Sequence, residues 1–69
     1  MPIYLSEANI PVVIRKITGN DKVKSHLENL GFIPGEAITL ISKVDENVIL
    51  KIKGVTLGIS HELAKRILV

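Results

Sequence analysis

One segment in the first half of the chain has the hydrophobic spacing of a helix. Val23, Leu27 and Leu30 fall at i, i+4 and i+7, which places them on one helix face. Asn20 or Asp21 can cap its start, because both side chains accept hydrogen bonds from the free amides of a first turn. We therefore predict a helix of about ten residues, which must dock its apolar stripe on a sheet because so short a helix is unstable alone in water.

A dense cluster of backbone-breaking residues follows this helix. Gly31 is predicted to be its C-cap, because a left-handed residue there satisfies the last carbonyls without a Cβ penalty. Pro34 and Gly35 are predicted to form the centre of a type II turn, since proline presets φ at the first central position and glycine supplies a positive φ at the second. The cluster thus predicts where the helix stops and the next strand starts.

After this turn the hydrophobic period changes to two, which is the pattern of half-buried strands. A short polar break between two alternating runs indicates a hairpin. The alternating runs cover residues 38–43, 48–53 and 55–60, with a polar break at 45–47 and a turn at Gly54.

The last part of the chain combines a strand, a helical turn and a final strand. Gly58 has no side chain, which predicts either a bend or a close neighbour. Ser60 is a candidate N-cap for one helical turn over 61–65. Residues 66–69 return to β character.

The first β-branched run, residues 10–17, is less regular. Pro11 interrupts it, so the strand is predicted to begin near Val12. Apolar residues occupy both of its faces and the alternation fails near Lys16. A bend or bulge is expected there, and small barrels need such bends to close.

These patterns together predict a mainly β fold, formed as one domain over residues 1–69. We expect a small SH3-like barrel of about five strands, with one α-helix inserted between the first two strands and a short helical turn before the last. Closure would remove the open sheet edges that favour aggregation. An OB-fold is the alternative, although it usually needs a longer chain.

Composition limits how this fold is stabilised. A chain of 69 residues without cysteine has no disulfide, and 46% of its residues are hydrophobic. It buries roughly 60% of the surface that its unfolded form exposes, so its stability margin is small. Only Tyr4 and Phe32 are aromatic, which predicts a dense aliphatic core. Tyr4 and Leu5 are expected to pin the N-terminal segment to that core.

Charge and hydropathy limit the binding partners and the cellular location that the sequence supports. The net charge of +2 is too small to indicate nucleic acid by itself. No apolar run approaches the length of a membrane span, so direct membrane insertion is not expected. The N-terminus lacks a basic region followed by an apolar stretch, so no secretory signal is predicted and the cytoplasm is favoured.

The chain offers no arrangement of residues for catalysis. None of its serines has a nucleophile-elbow context. His26 and His61 lie far apart in sequence on separate helical segments, and a metal site would also need carboxylate or thiolate ligands beside them. Residues 45–47 are interpreted as a solvated hairpin tip. We therefore predict no enzyme activity, no cofactor, no metal site and no small-molecule substrate.

Nucleic-acid binding is the alternative function. Its support is a set of lysines that could follow a phosphate backbone. Against it, only Tyr4 and Phe32 could stack on a base, and the same shortage of aromatics excludes an SH3-type grip on polyproline. The lysines are Lys16, Lys22, Lys24, Lys43, Lys51, Lys53 and Lys65.

Contact with another protein is the function that remains. Phe32 and Ile33 follow the helix in a loop where both cannot easily be buried. Ile41 and Ile49 fall on the outer sheet face beside lysines. The solvent side of the helix carries polar residues that a partner can reach. The candidate partner-binding residues are Lys22, His26, Phe32 and Ile33.

These residues also carry a family resemblance. The run Leu27-x-x-Leu30-Gly31-Phe32-Ile33-Pro34-Gly35 resembles the signature of FeoA-type proteins, small cytoplasmic partners of the ferrous-iron transport system. The end of the chain is similar to that family's closing segment, through Gly54-x-x-Leu57-Gly58-Ile59-Ser60-x-x-x-Ala64-x-x-Ile67-x-Val69. The same domain resembles the C-terminal module of iron-dependent repressors.

The resemblance implies an SH3-like barrel with an inserted helix. It also implies a non-enzymatic accessory role in ferrous iron transport, with a FeoB-type membrane GTPase transporter as the protein partner. The contact would involve the cytoplasmic part of that transporter.

Overall fold

The structure is a computed structural model that describes all residues, 1–69, and its regular secondary structure is mainly short strands. Its elements are a 3-10 turn (Ile3–Leu5), β1 (Pro11–Val13), β2 (Lys16–Ile17), α1 (Asp21–Asn29), β3 (Ala37–Val44), β4 (Asn47–Ile52), β5 (Val55–Ser60), α2 (His61–Ala64) and β6 (Ile67–Leu68). Four strands form an antiparallel sheet in the order β1-β3-β4-β5, and β2 pairs with β6 in a second sheet. Neither helix is long and apolar enough to cross a membrane.

The first predicted strand is divided between the two sheets. The Ile14 amide donates to the Glu36 carbonyl at 2.9 Å, while the next amide, that of Arg15, donates to the Leu68 carbonyl at 2.7 Å. The bend expected ahead of Lys16 is therefore present. It lets Ile14 and Ile17 both enter the core, although they belong to opposite faces of a regular strand. Strand pairing yields two sheets, and the closed barrel predicted from the sequence is not shown.

Capping determines where α1 begins and ends. The Asn20 side chain accepts from the Val23 amide at 2.9 Å, so Asn20 is the N-cap and Asp21 is the first helical residue. Leu30 is the C-cap, and Gly31 follows it with φ of +104°. Gly31 was predicted as the C-cap; it lies one position later, and it has the positive φ that the prediction required.

The apolar stripe of α1 is only partly buried. Leu27 is fully buried and Val23 is half-buried, as expected from their spacing. Leu30 was predicted to share that face, and this is wrong because its side chain is 38% exposed. The helix ends before Leu30, and the chain then turns so that Phe32 supplies the core contact at this end.

Two tight turns connect β3, β4 and β5. The β3–β4 hairpin closes with Val44 opposite Asn47, and its register shifts between Leu40 and Ser42, which leaves Ile41 as a bulge. The β4–β5 turn has φ of +52° at Lys53 and +78° at Gly54. Positive φ at both central residues is the type I′ geometry that matches strand twist.

Gly58 has the close neighbour that the sequence predicts. It lies opposite Ile49 in the β4–β5 register, and a Cβ built on it would be 3.1 Å from Ile49 Cδ1. Ile49 therefore covers the space that a side chain at Gly58 would take. Ile49 and Ile41 are both half-buried on the outer side of the sheet.

The core is aliphatic apart from one ring. Ile3 is fully buried and Leu5 is exposed, so Ile3, and not Leu5, anchors the N-terminal segment. The cause is the 3-10 turn, which directs these two side chains differently. The buried apolar residues are Ile3, Ile14, Ile17, Leu27, Phe32, Ile38, Leu40, Val48, Leu50, Ile52, Ile59, Ala64 and Ile67.

Candidate functional site

The outer face of α1 borders an open cleft. Lys22, His26 and Asn29 lie at i, i+4 and i+7 along it, and all three side chains are exposed. Val23 and, from α2, Leu63 supply the apolar part of the cleft. Two of the predicted contact residues, Lys22 and His26, are therefore brought together on one surface.

The charges on this face are not neutralised by neighbouring side chains. Ion pairs occur only between Lys53 and Glu36 and between Lys65 and Glu62, so Lys22 has no acidic partner within the chain. His26 lies in the last turn of α1, and its side chain is exposed and forms no ion pair. A negatively charged or hydrogen-bonding partner can therefore approach both side chains directly.

Two exposed apolar side chains lie at the C-terminal end of the same helix. Leu30 is 38% exposed and Ile33 is 41% exposed. The Ile33 carbonyl accepts from the Glu36 amide at 3.0 Å, and Gly35 has φ of +97°, which is the type II turn predicted around Pro34 and Gly35. This turn holds the Ile33 backbone while its side chain remains accessible.

Phe32 does not belong to the exposed surface. Its side chain is fully buried in the core, next in sequence to the exposed Ile33. Its selection as a contact residue rested on its position in a loop, and the turn after α1 directs that ring inward. The surface available to a partner is Lys22, His26, Asn29, Leu30 and Ile33, called the α1 surface below.

Sequence reasoning missed three members of this region. Leu30 was assigned to the core because it continues the helical spacing past the point where the helix ends. Asn29 has no signal beyond its spacing from Lys22 and His26. Leu63 could not be found from sequence, because its place beside the cleft depends on how α2 packs relative to α1.

A second cleft, lined only by polar residues, lies between α2 and the β3–β4 turn. The His61 amide donates to the Glu46 carbonyl at 2.7 Å, which ties α2 to the β3–β4 turn. The His61 ring also packs on Tyr4, with ring centroids 4.3 Å apart and a tilt of 49°. The cleft is lined by Asp45, Glu46, Asn47, Ser60, His61 and Glu62.

One carboxyl in this polar cleft has a shifted pKa. Lys65 donates to Glu62 Oε1 at 3.2 Å and lies 3.0 Å from Oε2. This hydrogen bond and the lysine charge lower the pKa of Glu62. The pair is an ordinary exposed i, i+3 contact, so it gives no indication of a catalytic group.

The two histidines do not share a site. His26 lines the α1 cleft and His61 lines the polar cleft. Nowhere are three or more His, Asp or Glu side chains gathered in a way that could hold a metal ion. Each histidine is therefore available for hydrogen bonding or packing on its own surface.

In the folded chain, fewer aromatic rings and lysines are free to bind nucleic acid than the sequence alone offers. Of the two aromatic rings, Phe32 is buried and Tyr4 is packed against His61, so neither is free to stack on a base. Lys43 donates to the Tyr4 carbonyl at 3.1 Å. Lys53 and Lys65 are engaged by Glu36 and Glu62.

Comparison with known proteins gives a consistent family. The model of the FeoA domain matches residues 1–69. Among curated proteins there is no significant match. The crystal structure of an iron uptake regulatory protein, FeoA, has a TM-score of 0.87 at 22% identity, and the alignment covers 97% of this chain and 91% of that one.

Two further solved structures are similar in fold. FeoA of Stenotrophomonas maltophilia, described as a prokaryotic SH3 domain protein complexed with zinc, has a TM-score of 0.82 at 20% identity over 99% of this chain and 87% of its own. A manganese-dependent transcriptional repressor has a TM-score of 0.86 at 8% identity, over 97% of this chain but only 39% of the repressor. At these identities the likeness concerns the fold.

Proposed function

This chain belongs to the FeoA family, whose domain matches it from residue 1 to residue 69, and we propose that it is a non-enzymatic accessory module of ferrous iron transport that acts in the cytoplasm. Its partner is the cytoplasmic part of a FeoB-type membrane GTPase transporter. The module binds this partner and thereby tunes the activity or assembly of the transporter. Its SH3-like architecture serves as a scaffold for the contact surface.

The observation that carries this proposal is the composition of the α1 surface. Leu30 and Ile33 are exposed apolar side chains at the C-terminal end of α1, and Lys22 and His26, earlier on the same helix, form no ion pair. Protein interfaces commonly combine apolar anchors with a surrounding polar rim. The α1 surface supplies both, on a helix whose two ends are capped by hydrogen bonds.

The non-enzymatic part of the proposal is supported by the titratable groups. Active sites shift the pKa values of their acids and bases through burial and close charges. The pKa of Glu62 is lowered by the exposed Lys65 beside it, which is an ordinary surface contact. No buried acid, base or nucleophile is placed in either cleft to act on a substrate.

A titration of the isotope-labelled chain with the soluble GTPase region of the transporter tests the proposed contact. Amide shifts of Lys22, His26, Asn29, Leu30 and Ile33 should change most. Lys22→Glu should weaken binding, because it reverses an unpaired charge on the α1 surface. Lys51→Glu is the matched control: it makes the same charge change at an exposed lysine of β4 and should bind like the wild type.

Two outcomes would overturn the proposal. The first is the absence of binding to the transporter together with unchanged ferrous uptake after deletion of the gene. The second is tight binding to generic DNA or RNA that falls steeply with salt, which is the behaviour expected of a phosphate-tracking domain. If Lys22→Glu and Lys51→Glu lost transporter binding equally, the contact would not be specific to the α1 surface.

A further inference from the structure

The free edge of β5 is unpaired within the chain. β5 is the last strand of the four-stranded sheet and pairs only with β4. No backbone hydrogen bond outside that pairing involves residues 55–59. A row of amides and carbonyls is therefore available along one side of the strand.

The register identifies which groups point outward. Ile52 and Val55 flank the two-residue turn, so they form a hydrogen-bonded pair, and hydrogen-bonded pairs then alternate along the ladder. Glu46 and His61 are the next pair after Asn47 and Ser60, and the bond from the His61 amide to the Glu46 carbonyl shows that this pair is hydrogen-bonded, as the alternation requires. The intervening residues Thr56 and Gly58 thus direct their amides and carbonyls away from β4.

β5 lacks the features that usually protect an edge strand. Such strands are commonly short, contain proline or carry charged side chains. The opposite edge, β1, has three residues and begins with Pro11. β5 has six residues, Val-Thr-Leu-Gly-Ile-Ser, with no proline and no charge, and its Val55 side chain is 58% exposed.

We propose that the β5 edge binds the β5 edge of a second copy of this chain, in antiparallel orientation around a two-fold axis at Leu57. In this register Thr56 of one copy faces Gly58 of the second copy, and each such pair exchanges both of its N–H···O bonds. Leu57 faces its own counterpart in a non-hydrogen-bonded pair, where side chains approach most closely. The four-stranded sheets of the two copies then form one continuous eight-stranded sheet.

Charge and self-complementarity indicate that the partner of the β5 edge is a second copy of this chain. A strand without charged residues meets no repulsion from its own copy, whereas like charges directly opposite each other are destabilising. The antiparallel orientation also brings the Lys53 end of one strand towards the Glu62 end of the other, and both side chains stay exposed in their surface pairs with Glu36 and Lys65. The proposal does not depend on the transporter contact, and it uses no residue of the α1 surface.

Sedimentation equilibrium and amide hydrogen exchange on the wild-type chain test the pairing directly. We expect a monomer–dimer equilibrium in which the Thr56 and Gly58 amides become protected as concentration rises. A chain that stays monomeric at millimolar concentration, or a dimer that leaves both amides unprotected, would overturn the proposal. Protection that appears only when transporter protein is added would also overturn it.

A pair of variants at one position isolates the backbone contribution. Thr56→Pro removes an outward amide, and proline is tolerated where an edge N–H faces solvent. It should weaken dimerisation roughly tenfold or more, since a hydrogen bond is lost in each symmetric pair. Thr56→Val keeps the amide and should dimerise like the wild type. A folded Thr56→Pro chain that still dimerises normally would exclude the β5 edge; if that variant fails to fold, the wild-type exchange data decide.

Discussion

The Phe32 amide donates a hydrogen bond of 3.0 Å to the Leu27 carbonyl, across the end of α1. The Gly31 amide donates to the Glu28 carbonyl at 2.9 Å, and the two bonds together form a Schellman motif. Both Phe32 and Leu27 are fully buried. The bond that ends the helix therefore also commits two side chains to the core, and so determines which face of α1 a partner can reach.

Gly31→Val should destabilise the fold. Gly31 has φ of +104° and nothing lies within 4 Å of a Cβ built on it, so the cost is conformational and not steric crowding by neighbours. We expect a loss of about 1–3 kcal/mol in the free energy of unfolding, measured by denaturant titration. Gly31→Asn is the control and should lose less, because asparagine tolerates positive φ better. Unchanged stability in Gly31→Val would mean that the backbone here differs from the structure.

Phe32→Ala should lower the free energy of unfolding much more than Ile33→Ala, because Phe32 is buried and Ile33 is exposed. Truncating a fully buried Phe costs about 3–5 kcal/mol, which is a large part of the stability of so small a domain. Ile33 is 41% exposed, so Ile33→Ala should change stability by no more than about 0.5 kcal/mol. Thermal or chemical unfolding measures both. Similar losses in the two variants would contradict the inward direction of Phe32.

Gly58→Ala should depend on the residue at position 49. The new Cβ would lie 3.1 Å from Ile49 Cδ1, so Ile49 must shift to accept it. Ile49→Val removes that terminal carbon, and Gly58→Ala should be tolerated better in this background. We expect a coupling energy of about 0.5–3 kcal/mol from a double-mutant cycle of unfolding free energies. Strictly additive effects would show that the two residues do not meet.

The Glu62 carboxyl should titrate at a lower pH than it would without Lys65. The hydrogen bond and charge of Lys65 lower its pKa in the folded state. Any stability gained is present above the unfolded-state pKa and is lost as the pH falls through the lowered, folded-state pKa. Because the pair is exposed, that gain should be small. A carbon-detected titration measures the midpoint, which Lys65→Met should raise and Lys51→Met should leave unchanged.

Local backbone features were the most predictable part of the structure. Gly31 and the Pro34–Gly35 turn were recognised because positive φ values demand glycine. Ser60 was recognised as a cap because its hydroxyl can accept from an amide three residues on, as it does from Leu63 at 3.3 Å. These features involve groups only a few residues apart, so their physics is contained in a short stretch of sequence.

Side-chain burial was predicted less well. Helical spacing assigned Leu30 to the core, and position in a loop assigned Phe32 to the surface; the structure places each the other way. Lys22 was predicted to lie on the solvent side of α1, and it does; His26 is exposed as well, and the role of both in binding a partner is still a prediction. Leu63 joined the cleft only through the packing of α2.

By itself, the sequence determined the β-rich pattern, the start of α2 at Ser60, the glycine turns and the family of this chain, because each depends on local conformational preference or on an ordered motif. Only the tertiary structure decided how the first strand divides between two sheets, which of Leu30 and Phe32 is buried, and that β5 ends with an open edge. These depend on where distant segments meet. All of these segments pack on one core, so the position of each depends on the others and cannot be read from a local sequence pattern.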